Sequence, residues 1–132
     1  MPSRTDGRHK KLITGVAEQF NEILDGSEQS VYIYLDDTHK VCNRNFATLL
    51  GYSSPEEWAA VKENFPDAFI SGKSQRTLVS AYQAAVAKFV GSVIDVTWKR
   101  KDGKEVRGTT ILVPIEYEGH TMALHYVKEA RA

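Results

Sequence analysis

Three β-rich runs lie back to back at the C-terminal end of the chain, and they constrain its fold more than any other feature. Ser92 to Arg100, Lys104 to Ile115 and His120 to Val127 are rich in β-branched and aromatic residues. Lys101-Asp102-Gly103-Lys104 separates the first two, and Asp-Gly between strand-like runs is a strong hairpin signal. Glu118-Gly119 separates the second pair. Strands joined by such short turns pair antiparallel, so this part of the chain reads as a meander.

A second group of strands lies upstream. Ser30 to Asp36 reads as a strand, with Val31, Ile33 and Leu35 on one side and Tyr32 and Tyr34 on the other. A polar turn, Asp36-Asp37-Thr38-His39, leads to a second short strand over Lys40 to Cys42. Between the two groups the pattern turns helical. Asn43 can cap a helix carrying Phe46, Leu49 and Leu50, which Gly51 ends. Ser54-Pro55-Glu56-Glu57 starts another: Ser54 as cap, Pro55 at the first helical position, Glu57 completing a capping box. Asn64 to Ser74, with Pro66 and Gly72, reads as a loop with room for one helical turn. From Ser74 to Val90 the residues Leu78, Tyr82, Ala85, Val86 and Phe89 keep a helical period, and Gly91 reads as the stop.

Ahead of the first strand, Leu12, Ile13, Val16, Phe20, Ile23 and Leu24 form the stripe of an amphipathic helix, with its stop at Asp25-Gly26-Ser27. Met1 to Lys11 is polar and basic and reads as a solvated tail. The chain therefore divides into residues 1–26, tail and helix, and residues 27–132, an α+β domain with a five-stranded antiparallel sheet.

Composition narrows the function. The 132 residues suit a single domain. Lys plus Arg is 17 and Asp plus Glu is 17, which removes the basic surplus that nucleic-acid binding by bulk charge needs. Cys42 is the single cysteine, so no internal disulfide or Cys-rich zinc site can form. No apolar run reaches the roughly 18 residues of a membrane span. The expectation is a cytoplasmic protein with a reduced thiol, bound to neither membrane nor nucleic acid.

Catalysis finds little support. No Gly-x-Ser-x-Gly, P-loop or His-Glu-x-x-His motif occurs. Turn and cap duty accounts for Asp36-Asp37 and Glu56-Glu57. Asp95 and His125, both assigned to the outer face, read as a cross-strand pair rather than a catalytic dyad. Cys42 reads as a small hydrophobe. The four histidines read as surface or satisfied groups, and His120 and His125 point to opposite faces of one strand. No metal ligand is assigned.

From about Gln29 to Glu129 the sequence resembles a PAS domain, the sensory module of many signalling proteins. The carrying residues are the strand ending in Asp36, then Asn43-Arg-Asn-Phe-Ala-Thr-Leu-Leu-Gly-Tyr52, Ser54-Pro55-Glu56-Glu57-Trp58, and the hairpin Trp98-Lys-Arg-Lys-Asp-Gly103. The resemblance implies a five-stranded sheet with helices on one face, an amphipathic helix in front, and any ligand between helices and sheet. The family's light-sensing branch bonds flavin through a Cys; the matching region, Ile70 to Leu78, has none. Its haem-binding branch uses a His on the long helix; Ser74 to Val90 has none. The cofactor is left open. The implied function is non-enzymatic: a module that senses a small apolar or aromatic ligand, dimerises, or both, and regulates a kinase, cyclase or other output. It stands alone or is a piece of such a regulator.

Alternation yields candidate residues. Ile33, Leu35, Ile94, Val96, Trp98, Thr110, Leu112, Met122, Leu124 and Tyr126, with Phe46 and Leu49 from the helices, are the ligand-pocket set. Leu12, Ile13, Val16, Phe20, Ile23, Tyr32, Tyr34, Ile111 and Val113 are the set for dimerisation or helix packing. The outer face is too apolar to stand in water, so the N-terminal helix, the chain's own or a partner's, is expected to cover it. Two rivals remain. One is a ligand-free dimerisation or docking domain with a filled core. The other is a small cone-shaped α+β enzyme, which needs a carboxylate or His inside, such as an inward Asp95 or His125.

Overall fold

A computed structural model describes residues 4–129, and the side chains of residues 7–129. Six helices and five strands follow in the order α1 (Arg4–Gln19), α2 (Asn21–Gly26), β1 (Ser30–Asp36), β2 (His39–Cys42), α3 (Arg44–Leu49), α4 (Pro55–Ala59), α5 (Phe65–Phe69), α6 (Gly72–Lys88), β3 (Ser92–Lys99), β4 (Glu105–Tyr117) and β5 (His120–Glu129). The strands form one sheet in the order β2-β1-β5-β4-β3, with every pair antiparallel. The C-terminal meander thus supplies one side of the sheet and the β1–β2 hairpin the other.

The local signals set the helix starts. Asn43 Oδ1 accepts from the Phe46 N–H at 3.0 Å, Ser54 Oγ from the Glu57 N–H at 3.0 Å, and Asn64 Oδ1 from the Asp67 N–H at 3.4 Å. Glu57 returns its carboxylate to the Ser53 N–H, one residue before the cap. Asn43 also fastens the helix to the sheet. Its Oδ1 accepts from the Val31 N–H at 3.0 Å and its Nδ2 donates to the Gln29 carbonyl at 2.8 Å. This side chain is buried. Asn43→Ala strands the Val31 and Phe46 N–H groups together, so it should cost about 2 kcal/mol. Urea unfolding of the two proteins checks this, and equal midpoints would contradict it.

Several boundaries differ from the sequence reading, and the single helix expected over Leu12 to Leu24 is broken at Phe20 into α1 and α2. Helix α1 begins at Arg4, so 4–11 is helical rather than a tail; residues 1–3 lie outside the described residues. The 64–74 segment contains the full helix α5, with Pro66 in its first turn. Helix α6 ends before Gly91, at Phe89, which caps it in the left-handed region at φ 56°. The β4–β5 turn also needs that region: Glu118 and Gly119 have φ of 48° and 81°.

The sheet is covered on both faces. Helices α3 to α6 lie on one, over a core that includes Phe46, Leu50, Trp58, Phe65, Phe69, Ile70, Leu78, Val96, Trp98 and Leu112. Helices α1 and α2 lie on the other. There Leu12, Ile13, Val16 and Leu24 pack on Val31, Ile33, Leu35, Met122 and Leu124. The chain's own N-terminal helices therefore cover the outer face.

Two strands face the opposite way from the assignment by alternation. Ile33 and Leu35 of β1, and Met122, Leu124 and Tyr126 of β5, belong to the outer core and not to the ligand-pocket side. Tyr32 and Tyr34 belong to the inner core and not to the outer packing set. The register makes this one fact: Tyr32 pairs with His125 and Tyr34 with Ala123, so a single reversal turns both strands. Asp95 pairs with Thr109 on β4 and is exposed, while His125 is buried on the other face one strand further on. They cannot form a pair or a dyad.

Candidate functional site

The interior between the sheet and the helices is largely filled by aromatic rings. Trp98 meets Tyr32 and Phe46 edge-on at 5.6 and 5.4 Å between centroids. Phe46 meets Trp58 at 5.2 Å, and Phe65 meets Phe69 at 4.9 Å. The start of α6 is tied to β3: the Ser71 N–H donates to the Thr97 carbonyl and the Thr97 N–H to Ser74 Oγ, both at 2.9 Å.

A small cavity of about 50 Å³ lies among the rings, lined by Tyr32, Tyr34, Phe65, Pro66, Leu78, Val79, Tyr82 and His125. That holds one or two water-sized molecules, far less than a flavin or a haem. Of the ligand-pocket set, Ile94, Val96, Trp98, Thr110, Leu112, Phe46 and Leu49 lie on this side of the sheet or in the helices over it, yet none lines the cavity. The residues that do line it escaped the alternation argument, because Tyr32, Tyr34 and His125 were assigned to the wrong face.

The cavity walls are almost wholly apolar, with two polar atoms buried beside them. The Tyr32 and His125 rings stack in parallel, 4.0 Å between centroids and 7° between planes. Tyr32 Oη is buried with no hydrogen-bond partner among the described residues, and His125 Nδ1 is buried without a well-formed hydrogen bond, with the backbone of Ala123 and Tyr32 close to the imidazole. Burial pulls the His125 imidazole down to about 3, so it is neutral at physiological pH. Burial raises the Tyr32 phenol well above its ordinary value. At the rim, the Tyr34 hydroxyl donates to Asp37 Oδ1 at 2.8 Å, which also accepts from the Phe65 N–H at 3.1 Å. The Tyr82 hydroxyl reaches the Leu35 carbonyl at 3.4 Å.

A buried lysine on the same side of β2 has no counterpart in the sequence reading. Lys40 Nζ donates to the carbonyls of Asp37 at 2.7 Å, Val61 at 2.6 Å and Ala59 at 3.4 Å. The ammonium lies 5.3 Å from the centre of a Trp58 ring. Burial pulls it down to about 8, against the pull of Asp37 and Asp36, so it stays charged at neutral pH. It holds the carbonyls that end α4. Lys40→Met keeps the stem and leaves these carbonyls unpaired, so it should cost about 1–3 kcal/mol in urea unfolding; a variant as stable as the parent would contradict this role.

Cys42 is buried beside this lysine, and burial pushes its thiol up to about 12. It is a packed thiol and not a nucleophile at neutral pH.

Of the dimerisation and packing set, Leu12, Ile13 and Val16 are buried, Phe20, Ile23 and Val113 are half-buried, and Ile111 is exposed. Ile111 pairs with Val93, which is 69% exposed, and Phe89 and Val90 add apolar surface close by in the chain. The outer face toward the β3 edge therefore exposes Val93 and Ile111, next to Asp95 and Thr109.

The arrangement of sheet, inner helices and covering N-terminal helix is the PAS fold. A PAS domain from Colwellia psychrerythraea superposes with a TM-score of 0.67 at 19% identity, over 87% of this chain and 97% of that one. The PAS domain of an HTR-like protein from Haloarcula marismortui gives 0.61 at 16%, over 94% and 99%. A LOV protein from Rhodobacter sphaeroides gives 0.66 at 15%, over 88% of this chain and 67% of that one. No protein-family profile and no curated protein sequence matches the chain. Among the described residues no helix is long and apolar enough to cross a membrane.

Proposed function

We propose that this chain is a PAS-type sensory module, not an enzyme, that takes a small ligand between the sheet and helices α5 and α6 and passes its occupancy to a regulated partner. The observation that carries this reading is a pair of polar atoms without a well-formed hydrogen bond, Tyr32 Oη and His125 Nδ1, buried beside a cavity. Orphaned buried polar groups cost stability unless something pairs with them. A ligand offering one donor and one acceptor on a flat apolar body answers both. The ligand is thus less purely apolar than alternation implies. In the described geometry the space takes only a molecule of a few heavy atoms, and a larger ring enters only as Tyr82 or Phe65 swings aside.

Ligand-free dimerisation is the second reading, favoured by the exposed Val93 and Ile111. The cone-enzyme reading gains an inward His125 and no more, since no carboxylate lines the cavity. Output through a kinase, cyclase or regulator belongs to the first reading: among similar folds are a PAS domain from a two-component sensor histidine kinase and a sensory box histidine kinase/response regulator.

Native mass spectrometry of the purified protein tests the proposal, followed by a thermal-shift screen of small aromatic and heteroaromatic compounds. A retained small-molecule mass, or a ligand whose stabilisation His125→Phe removes, supports the sensor. A dimer at bare chain mass with no stabilising compound would replace it with the docking domain.

A further inference from the structure

We propose that His9, Asp36 and His39 form a binding site for a divalent transition-metal ion of the zinc class, which clasps the N-terminal helix to the β1–β2 hairpin. This inference does not rest on the ligand cavity, which none of the three residues lines. His9 Nδ1 lies 2.5 Å from Asp36 Oδ2 and His39 Nδ1 lies 2.7 Å from Asp36 Oδ1. Each of the three residues offers one ligand atom, and these atoms lie within 4.8 Å of one another.

Two imidazoles from distant stretches of chain thus converge on the two oxygens of one carboxylate. A zinc ion bound at about 2.0–2.2 Å brings its ligand atoms to roughly 3.3 Å apart, against 2.5 and 2.7 Å for the two imidazole–carboxylate contacts and at most 4.8 Å across the group. For the metal to bind at Nδ1 of each ring, the Nδ1 proton must leave that nitrogen, and the neutral ring then carries its proton on Nε2. The carboxylate is already oriented, since the Thr38 N–H and hydroxyl both donate to Asp36 Oδ1, at 3.0 and 3.1 Å.

The ligand set selects the ion. Two imidazole nitrogens and one carboxylate suit Zn²⁺ and its first-row neighbours, whereas Mg²⁺ and Ca²⁺ prefer all-oxygen shells. Three protein ligands leave a tetrahedral ion one further position. The His120 ring, at the start of β5, stands 5.9 Å from that of His9 and is a candidate to fill it, with water as the alternative.

The test is isothermal titration of the purified full chain, stripped with chelator, using zinc chloride and then magnesium chloride. Visible absorption of the cobalt(II) form reports the ligand geometry. The expected result is one Zn²⁺ per chain, a raised unfolding temperature and no response to Mg²⁺. His9→Gln and His39→Gln should each weaken Zn²⁺ binding by at least the roughly 10–100-fold that loss of an outer-shell partner costs. His9 sits on α1 and is not fully buried, so its variant keeps the test decisive even if His39→Gln fails to fold. Absence of stoichiometric Zn²⁺ uptake would overturn the proposal. So would uptake unchanged by His9→Gln, or Mg²⁺ binding as tightly as Zn²⁺.

Discussion

Trp98→Ala should remove roughly 3–5 kcal/mol of stability, a large share of what a domain of this size possesses. Trp98 is fully buried at the middle of the inner core, in edge contact with Tyr32 and Phe46, and Ile70 bridges to its backbone. Its loss opens a void that these rings cannot close, because α5 is held in place through Ile70 and Ser71. Trp98→Phe should cost clearly less. The indole Nε1 has no partner among the described residues, so that change forfeits volume but no hydrogen bond. Urea unfolding of the three proteins measures both effects. An alanine variant as stable as the phenylalanine one would show that the inner core collapses around the gap.

Acid should unfold this protein early, and His125 should be a main cause. Its imidazole is held at about 3 in the folded chain against an ordinary 6.5, with burial as the leading cause. Between those values the unfolded chain binds a proton that the folded chain refuses. Stability is therefore intact above about 6.5 and falls as the pH drops towards 3, by at most about 1.4 kcal/mol per pH unit. Carboxylates add their own acid dependence, so the informative quantity is the difference from His125→Phe. Phenylalanine keeps the stack on Tyr32 and has the neighbouring cavity to absorb its extra volume. The parent should lose roughly 3 kcal/mol more than the variant between pH 7 and pH 4. Parallel curves would mean that His125 reaches solvent in the folded state.

Strands, turns and caps were legible because each is written locally. Asp102-Gly103 sets the first meander turn, and Asn43 and Ser54 bond the N–H groups that a cap should bond. The faces of β1 and β5 were not legible, and the reason is physical. Alternation tells a core face from a wet face. Here both faces are core: Val31, Ile33 and Leu35 serve the outer one while Tyr32 and Tyr34 serve the inner one, and all are apolar or aromatic. Polarity then misleads as a tie-breaker, because the more polar rows of β1 and β5, with the tyrosine hydroxyls and His125, face inward. On β3, exposed Asp95 opposite buried Val96 leaves no such ambiguity. The candidate cavity was lost with that reversal. His9 and Asp36 meet across a separation of 27 residues that no local pattern encodes. Lys40 is hidden for a related reason, since a strand of four residues gives no pattern against which a buried lysine stands out.

The double covering of the sheet has a mechanical consequence. Leu124 and His125 are consecutive residues of a central strand, one seated against the N-terminal helices and the other against the cavity. The two compartments share a wall a single backbone thick. Anything that shifts His125 tugs on the floor beneath α1 through one peptide link, so the shortest route from interior to N-terminus runs through the sheet and not around it.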